Sequence, residues 1–97
     1  MKIPSKINIC GIIYDVAFVK KPDNQLGSLD YYGVIDSEKS RIEISDGIDK
    51  QRQTQTFIHE ILHGIATNYA VKLDEDEVER LSNGIYAVLK SNNLLKD

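Results

Sequence analysis

The sequence predicts an α+β fold in a single domain spanning residues 1–97. Up to about residue 49, apolar and polar residues alternate with a period of two, which is typical of strands. Beyond that point apolar residues recur with a period near 3.6, which is typical of helices. Because the periodicity changes only once from that of strands to that of helices, we expect strands and helices to be segregated rather than interleaved. A chain of 97 residues is also too short for two domains of ordinary size.

The first half contains three to four predicted strands that form a small antiparallel sheet. Residues 7–19 are rich in β-branched and aromatic side chains, and they make either two strands folded at Gly11 or one bent strand. Residues 31–36 and 40–45 make a second pair around a polar turn. Apolar and polar residues alternate strictly in the last strand, so we expect one of its faces to be buried.

The second half contains two predicted helices that pack as antiparallel neighbours against the sheet. The first runs from about residue 50 to 69, with Asp49 as its N-cap. The second opens at Asp74, which has the spacing of a capping box with Glu77, and continues to about residue 92. Each helix carries an apolar stripe that we expect to face the core. The stripes consist of Phe57, Ile58, Ile61, Leu62, Ile65 and Tyr69 in the first helix and of Val78, Leu81, Ile85, Val88 and Leu89 in the second.

Charge and hydropathy argue against two classes of partner. The chain has 12 Lys and Arg against 15 Asp and Glu, a net charge of −3, so it lacks the basic surface that binds a nucleic-acid backbone. No apolar run approaches the ~18 residues of a membrane span or has the form of a signal peptide. We therefore expect a cytoplasmic protein that binds neither nucleic acids nor membranes.

Both histidines of the chain fall in the segment His59-Glu60-Ile61-Leu62-His63, an H-E-x-x-H motif within the first predicted helix. A spacing of four residues places both imidazoles on one helix face, one turn apart, where they can bind one Zn²⁺. The glutamate of such a motif is the general base of metalloproteases. We therefore predict one zinc ion per chain, bound by His59 and His63, with Glu60 as the catalytic residue.

A third zinc ligand must come from outside this motif, because a hydrolytic site usually has three protein ligands and an open position for water. The extended metzincin motif requires a histidine where this chain has Tyr69, so that class is excluded. The remaining source is the acidic cluster of residues 74–79. Most of its carboxylates have a local role as cap or first-turn charge. Glu79 lies one turn into the helix and faces the seam between the helices, so Glu79 is the predicted ligand and Glu77 the alternative.

These motifs resemble those of the gluzincins, and more closely those of the small ImmA/IrrE-type metallopeptidases of bacteria, phages and mobile elements. The resemblance covers about residues 54–89 and rests on the H-E-x-x-H segment followed by Glu79-Arg80-Leu81-Ser82-Asn83. It implies a zincin-like core with Glu60 in catalysis, and it places Asn83 where larger members keep an acid that orients a ligand histidine. The zinc ligands that the resemblance implies are His59, His63 and Glu79.

The predicted function is zinc-dependent hydrolysis of peptide bonds in a cytoplasmic protein, by an enzyme of bacterial or phage origin. An extended substrate could pair with the sheet edge nearest the active helix, and chain order makes the last strand that edge. The residues of that predicted edge are Arg41, Ile42, Glu43 and Ile44. The candidates for stabilising the oxyanion, none of them preferred, are Tyr31, Tyr32, Arg41, Tyr69 and Tyr86.

Two other functions are compatible with the sequence. One is a catalytically silent interaction module, in which zinc adds folding energy to a small core. The other is a metal-free binding protein of the immunity or inhibitor type, which uses the acidic residues 74–79. The number of protein ligands distinguishes the interaction module from a peptidase, because a fourth protein ligand would close the site to water.

Overall fold

The computed structural model describes residues 1–22 and 32–96 and confirms the α+β fold. Within these residues four strands precede two helices. The elements are β1 (Lys6–Ile9), β2 (Ile12–Val19), β3 (Gly33–Asp36), β4 (Arg41–Ser45), α1 (Lys50–Asn68) and α2 (Glu75–Ser91). Both predicted helix starts are confirmed. The Asp49 side chain accepts a hydrogen bond from the backbone of Arg52, and Asp74 and Glu77 form the capping box.

The strands form one mixed sheet in the order β1-β2-β4-β3. The prediction of an antiparallel sheet is right for the β1–β2 and β3–β4 pairs and wrong for β2 and β4, which are parallel. The turn that joins β3 to β4 makes those two strands antiparallel, and β4 then lies between β3 and β2. This interior position suits β4, because Ile42 and Ile44 are completely buried.

Residues 7–19 fold as a hairpin, so the first of the two interpretations of this segment is confirmed. Its turn consists of Cys10 and Gly11, which have positive φ angles of 55° and 87°. Asn8 stabilises the turn, because its side-chain oxygen accepts a hydrogen bond from the backbone of Gly11 at 2.8 Å. Cys10 is exposed at the tip of the hairpin.

The molecule has three layers, with α1 between the sheet and α2. Two glycines let α1 approach the sheet closely. A Cβ atom on Gly64 would lie 3.1 Å from Cδ1 of Ile35, and one on Gly33 would clash with Cγ2 of Thr56. This packing puts β3 beside the middle of α1, where the H-E-x-x-H motif lies. The core between α1 and the sheet consists of Ile9, Tyr14, Val16, Ile42, Ile44 and Phe57.

Helix α2 packs on α1, and within residues 1–22 and 32–96 it has no direct contact with the sheet. Val78 of α2 is completely buried against α1, as predicted. Because α1 is the single element that α2 contacts among the described parts of the chain, the apolar stripe of α2 is wider than the surface that covers it there. The predicted core residues that are instead exposed are Leu81, Ile85 and Val88 in α2 and Ile65 and Tyr69 at the end of α1. Among the residues described, no helix combines the length and the apolar character that crossing a membrane requires.

Candidate metal centre

The candidate metal centre lies in the seam between α1 and α2. His59 and His63 project from the same face of α1, as their spacing predicts, with ring centroids 4.9 Å apart in an edge-to-face arrangement. The His59 side chain is 10% exposed and the His63 side chain 27% exposed. The pair is therefore sheltered by the fold but still accessible from the solvent.

Two carboxylates from the first turns of α2 contact these histidines. The two oxygens of Glu75 lie 2.7 Å from Nε2 of His59 and 2.8 Å from Nε2 of His63. Glu79 contacts the other nitrogen of His59, with Oε2 at 2.8 Å from Nδ1. Glu75 and Glu79 are four residues apart and therefore share one face of α2. One carboxylate thus lies between the two histidines, and the other lies on the far side of the His59 ring.

These donors fit a metal ion. One ligand atom from each of His59, Glu75 and Glu79 lies within 4.8 Å of the other two, and the same is true of His59, Glu60 and His63. Imidazole nitrogens and carboxylate oxygens suit Zn²⁺ and other first-row divalent ions. The buried His59 together with Glu75 and Glu79 could therefore hold a metal ion.

Glu60 borders the same centre and is only 3% exposed. Its burial, together with the negative charges of Glu75 and Glu79, raises the pKa of Glu60 to about 8. A Cβ atom on Gly33 would lie 3.5 Å from Oε2 of Glu60, so strand β3 passes next to this carboxyl group. A group with this pKa exchanges its proton near neutral pH, as a general base or acid requires.

The raised pKa of Glu60 predicts that the metal-free chain loses stability as the pH rises from about 4.5 to about 8. In this range the unfolded state has released the proton while the folded state retains it, so ionisation opposes folding. We expect this group to contribute a loss of about 1.4 kcal/mol per pH unit, which Glu60→Gln removes. Urea denaturation in the presence of a chelator, at several pH values across this range, measures the effect. Parallel pH profiles for the two proteins would show that the pKa of Glu60 is not raised.

Glu75 is the site residue that the sequence analysis missed. Its place in the first turn of α2 already explains a negative charge through the helix dipole, so its position in the sequence does not by itself indicate a second role. Its spacing of four residues from Glu79 is the signal that could have identified it, because both side chains must share a face. Glu77, the alternative ligand, is used in the capping box, where it accepts the backbone N–H of Asp74 at 2.9 Å.

Asn83 lies beside the centre without contacting a histidine. Its side-chain nitrogen donates a hydrogen bond to Oε1 of Glu79 at 3.3 Å, whereas the resemblance implied a bond between Asn83 and a ligand histidine. Asn83 therefore acts on His59 only indirectly, by holding the carboxylate that contacts the ring.

Two of the oxyanion candidates, Tyr69 and Tyr86, have partners outside the metal centre. Tyr69 is exposed at the end of α1, and a hydrogen bond with Cys10 raises its pKa. Tyr86 is buried seven residues after Glu79 on α2, with the centre of its ring 5.7 Å from Nζ of Lys90. Both rings have contacts of their own outside the metal centre.

The other candidates belong to the β3–β4 region. Arg41 forms an ion pair with Glu43, with Nε and Oε2 2.9 Å apart. Tyr32 is exposed and directly precedes Gly33, the residue that approaches Glu60. Tyr31 lies outside the residues that the structure describes.

The predicted substrate edge is not an edge. Strand β4 pairs with β2 on one side and with β3 on the other, so its backbone groups are not free to pair with a peptide. The prediction was wrong because it inferred the position of the strand from chain order, whereas the sheet order places β3 at the edge. The residues concerned are Arg41, Ile42, Glu43 and Ile44.

Comparison of the chain with protein-family models, with curated protein sequences and with solved structures finds no significant match. The resemblance to ImmA/IrrE-type metallopeptidases stays a prediction from the motifs. The function is therefore inferred from the residues of the site.

Proposed function

We propose that the chain is a zinc-dependent metallopeptidase of the gluzincin type, with a zincin-like core, that hydrolyses peptide bonds in a protein substrate. The observation that carries this proposal is the convergence of the buried Glu60 with His59 and His63, next to the carboxylates of α2. An H-E-x-x-H helix that supplies two ligands and a general base is typical of zinc peptidases. The carboxylates of the neighbouring helix supply the further ligand that such a site needs.

We assign the ligands by the imidazole nitrogen that each carboxylate contacts. Glu75 lies between the Nε2 atoms of His59 and His63, so a metal ion bound by both atoms would have Glu75 as its third ligand. Glu79 contacts Nδ1 of His59, where a carboxylate fixes the tautomer and orientation of a metal-binding ring. The proposed ligands are thus His59, His63 and Glu75, with Glu79 as a positioning residue rather than the ligand that the sequence favours.

Zn²⁺ at this position would supply a bound water with a pKa of about 7 and would polarise the scissile carbonyl group. Glu60 accepts a proton from the attacking water as the water oxygen bonds to the carbonyl carbon. It then donates that proton to the amine nitrogen as the C–N bond breaks. In the metal-free chain burial, followed by the charges of Glu75 and Glu79, raises the pKa of Glu60 to about 8. The positive charge of a bound Zn²⁺ would lower this pKa and so favour the carboxylate that accepts the proton.

Strand β3 is the edge on which an extended substrate would bind. The backbone nitrogen of Ser45 donates to the carbonyl oxygen of Tyr32 at 2.7 Å, so residues 32, 34 and 36 direct their backbone groups toward β4. The alternation leaves the backbone groups of Gly33 and Ile35 facing away from the sheet. Gly33 is buried beside the carboxyl group of Glu60, so a peptide that pairs with the half-buried Ile35 would lie next to Glu60.

Metal content tests the proposal. Purified without chelator or added metal, the native chain should carry about one zinc ion, which Glu60→Gln retains and His63→Ala loses. Elemental analysis by mass spectrometry, normalised to protein concentration, measures this ratio. A native chain that neither contains zinc nor takes it up would contradict the peptidase and favour a metal-free acidic binding protein.

A catalytically silent, zinc-stabilised interaction module is the second candidate. It is favoured by the contact of Glu79 with His59, because a shift of Glu79 onto the metal would give four protein ligands and a closed site. X-ray absorption spectroscopy of the zinc-loaded chain separates the two. Three protein ligands plus water support hydrolysis, and four protein ligands support the structural module.

A further inference from the structure

A cavity of about 360 Å³ lies between the first turns of α1 and the last turns of α2. Its volume falls within the range of small-ligand pockets. Lys50, Lys90 and Lys96 line it, and the described residues of its wall include no carboxylate side chain. We call this cavity the lysine pocket. In a chain with a net charge of −3, it concentrates positive charge in one place.

Lys90 contacts residues of both helices in the lysine pocket. Its Nζ atom donates a hydrogen bond to Oε1 of Gln51 at 3.3 Å and lies 5.7 Å from the centre of the Tyr86 ring. Tyr86 and Thr54 are each 8% exposed, so this part of the wall belongs to the packed helix interface. A lysine ammonium group has three donors, and Gln51 occupies one of those on Lys90. The others are available to an anionic ligand.

The lysine pocket and the candidate metal centre lie at two positions along the seam between α1 and α2. Ser82 and Tyr86 are buried between them, so a peptide that reaches both places would lie over the seam and not inside it. Along this seam His59 contacts Glu79, and Gln51 contacts Lys90. Eight residues of α1 separate His59 from Gln51, which corresponds to about 12 Å along the helix axis. An extended peptide covers that distance with about three to four residues.

We propose that the lysine pocket binds an acidic side chain of a peptide substrate, about three to four residues from the bond that is hydrolysed. The position relative to that bond rests on the proposed function, whereas the affinity of the lysine pocket for an acidic peptide does not. The opposite end of the seam carries the acidic first turns of α2, residues 74–79. Charge complementarity therefore favours the orientation in which the acidic side chain lies at the lysine pocket.

NMR titration of the isotopically labelled full chain, free of metal, tests the proposal. The probes are the blocked peptide acetyl-Gly-Glu-Glu-Gly-amide and the same peptide with both glutamates replaced by glutamine. We expect saturable shifts at Lys50, Gln51 and Lys90 with the glutamate peptide, and about tenfold weaker binding of the glutamine peptide.

Lys50→Glu reverses one charge of the lysine pocket and should weaken binding of the glutamate peptide about tenfold or more. The substitution places a negative charge at the start of α1, where the helix dipole favours it, so we expect the fold to be retained. Lys39→Glu is the matched control, because it makes the same charge change in the exposed turn between β3 and β4. We expect this control to leave the peptide affinity unchanged.

His63→Ala separates this proposal from the proposed function. It removes a zinc ligand, so it should abolish zinc uptake and leave the affinity of the metal-free chain for the glutamate peptide unchanged. If the native chain binds the glutamate peptide but takes up no zinc, only the proposed function is contradicted. The proposed role of the lysine pocket would be overturned by equal affinity for the two peptides. Equal losses of peptide affinity in Lys50→Glu and Lys39→Glu would also overturn it. Saturation by acetate at the concentrations needed for the peptide would overturn it too, because the cavity would then recognise a bare anion.

Discussion

Glu60→Gln should abolish peptide hydrolysis while leaving zinc bound. The glutamine amide has the shape of the carboxyl group but accepts no proton from the attacking water. General acid–base catalysis typically contributes about 10² to 10⁴ in rate, so we expect a loss of at least that size in kcat. Because Glu60 is a base rather than a ligand in the proposed site, the zinc content should stay at that of the native chain.

The fold should tolerate this substitution. With its pKa raised to about 8, the carboxyl group of Glu60 is largely protonated at neutral pH in the metal-free chain. An uncharged amide then replaces an uncharged acid in a site that is 3% exposed. Such an exchange leaves no unpaired buried charge, which is the usual reason for a severe loss of stability.

Digestion of a peptide library, read by mass spectrometry, measures the activity of both zinc-loaded proteins. Cleavage sites present with the native chain and absent with Glu60→Gln would assign the activity to this centre. Equal cleavage by the two proteins would indicate a contaminating protease. An intact library with both proteins, each with zinc bound, would favour the catalytically silent module.

Features that depend on residues within one helical turn could be predicted from the sequence. Asp49 and the pair Asp74 and Glu77 form the predicted caps, because a cap needs only a side chain and a backbone amide a few residues away. The position of β4 could not be predicted in this way. Its partners in β2 are far away in the sequence, and strict alternation over residues 41–45 fits an edge strand and an interior strand equally well.

In the candidate site, too, the local features could be predicted from the sequence and those that depend on packing could not. The spacing of His59 and His63 places both rings on one face of α1 whatever surrounds the helix. Which carboxylate meets which ring nitrogen depends on how far α2 is shifted along α1, and this shift is set by packing around residues such as Val78. The four-residue spacing of Glu75 and Glu79 therefore predicts that they share one face of α2. Only the packed structure shows that Glu75 contacts Nε2 of His59 and Glu79 contacts Nδ1.

Glu75→Ala should weaken zinc binding more than Glu79→Ala does. Glu75 lies between the two Nε2 atoms, so its loss removes a proposed ligand, and we expect an affinity loss of about 100-fold or more. Glu79 contacts only Nδ1 of His59, and the loss of such an outer partner typically costs about 10- to 100-fold. Competition with a chelator of known zinc affinity, at one fixed pH, measures both values.

Glu77→Ala is the matched control for these two variants, because it removes the same charge from the same part of α2. Glu77 is used in the capping box, so we expect a loss of about 0.5–1 kcal/mol in stability and no change in zinc affinity. The side chains of Glu75 and Glu79 are 54% and 56% exposed, so their truncation leaves no cavity to confuse the comparison. A larger loss in Glu79→Ala than in Glu75→Ala would reverse the assignment and make Glu79 the third ligand. Equal losses in all three variants would mean that the acidic start of α2 attracts zinc only through its summed charge.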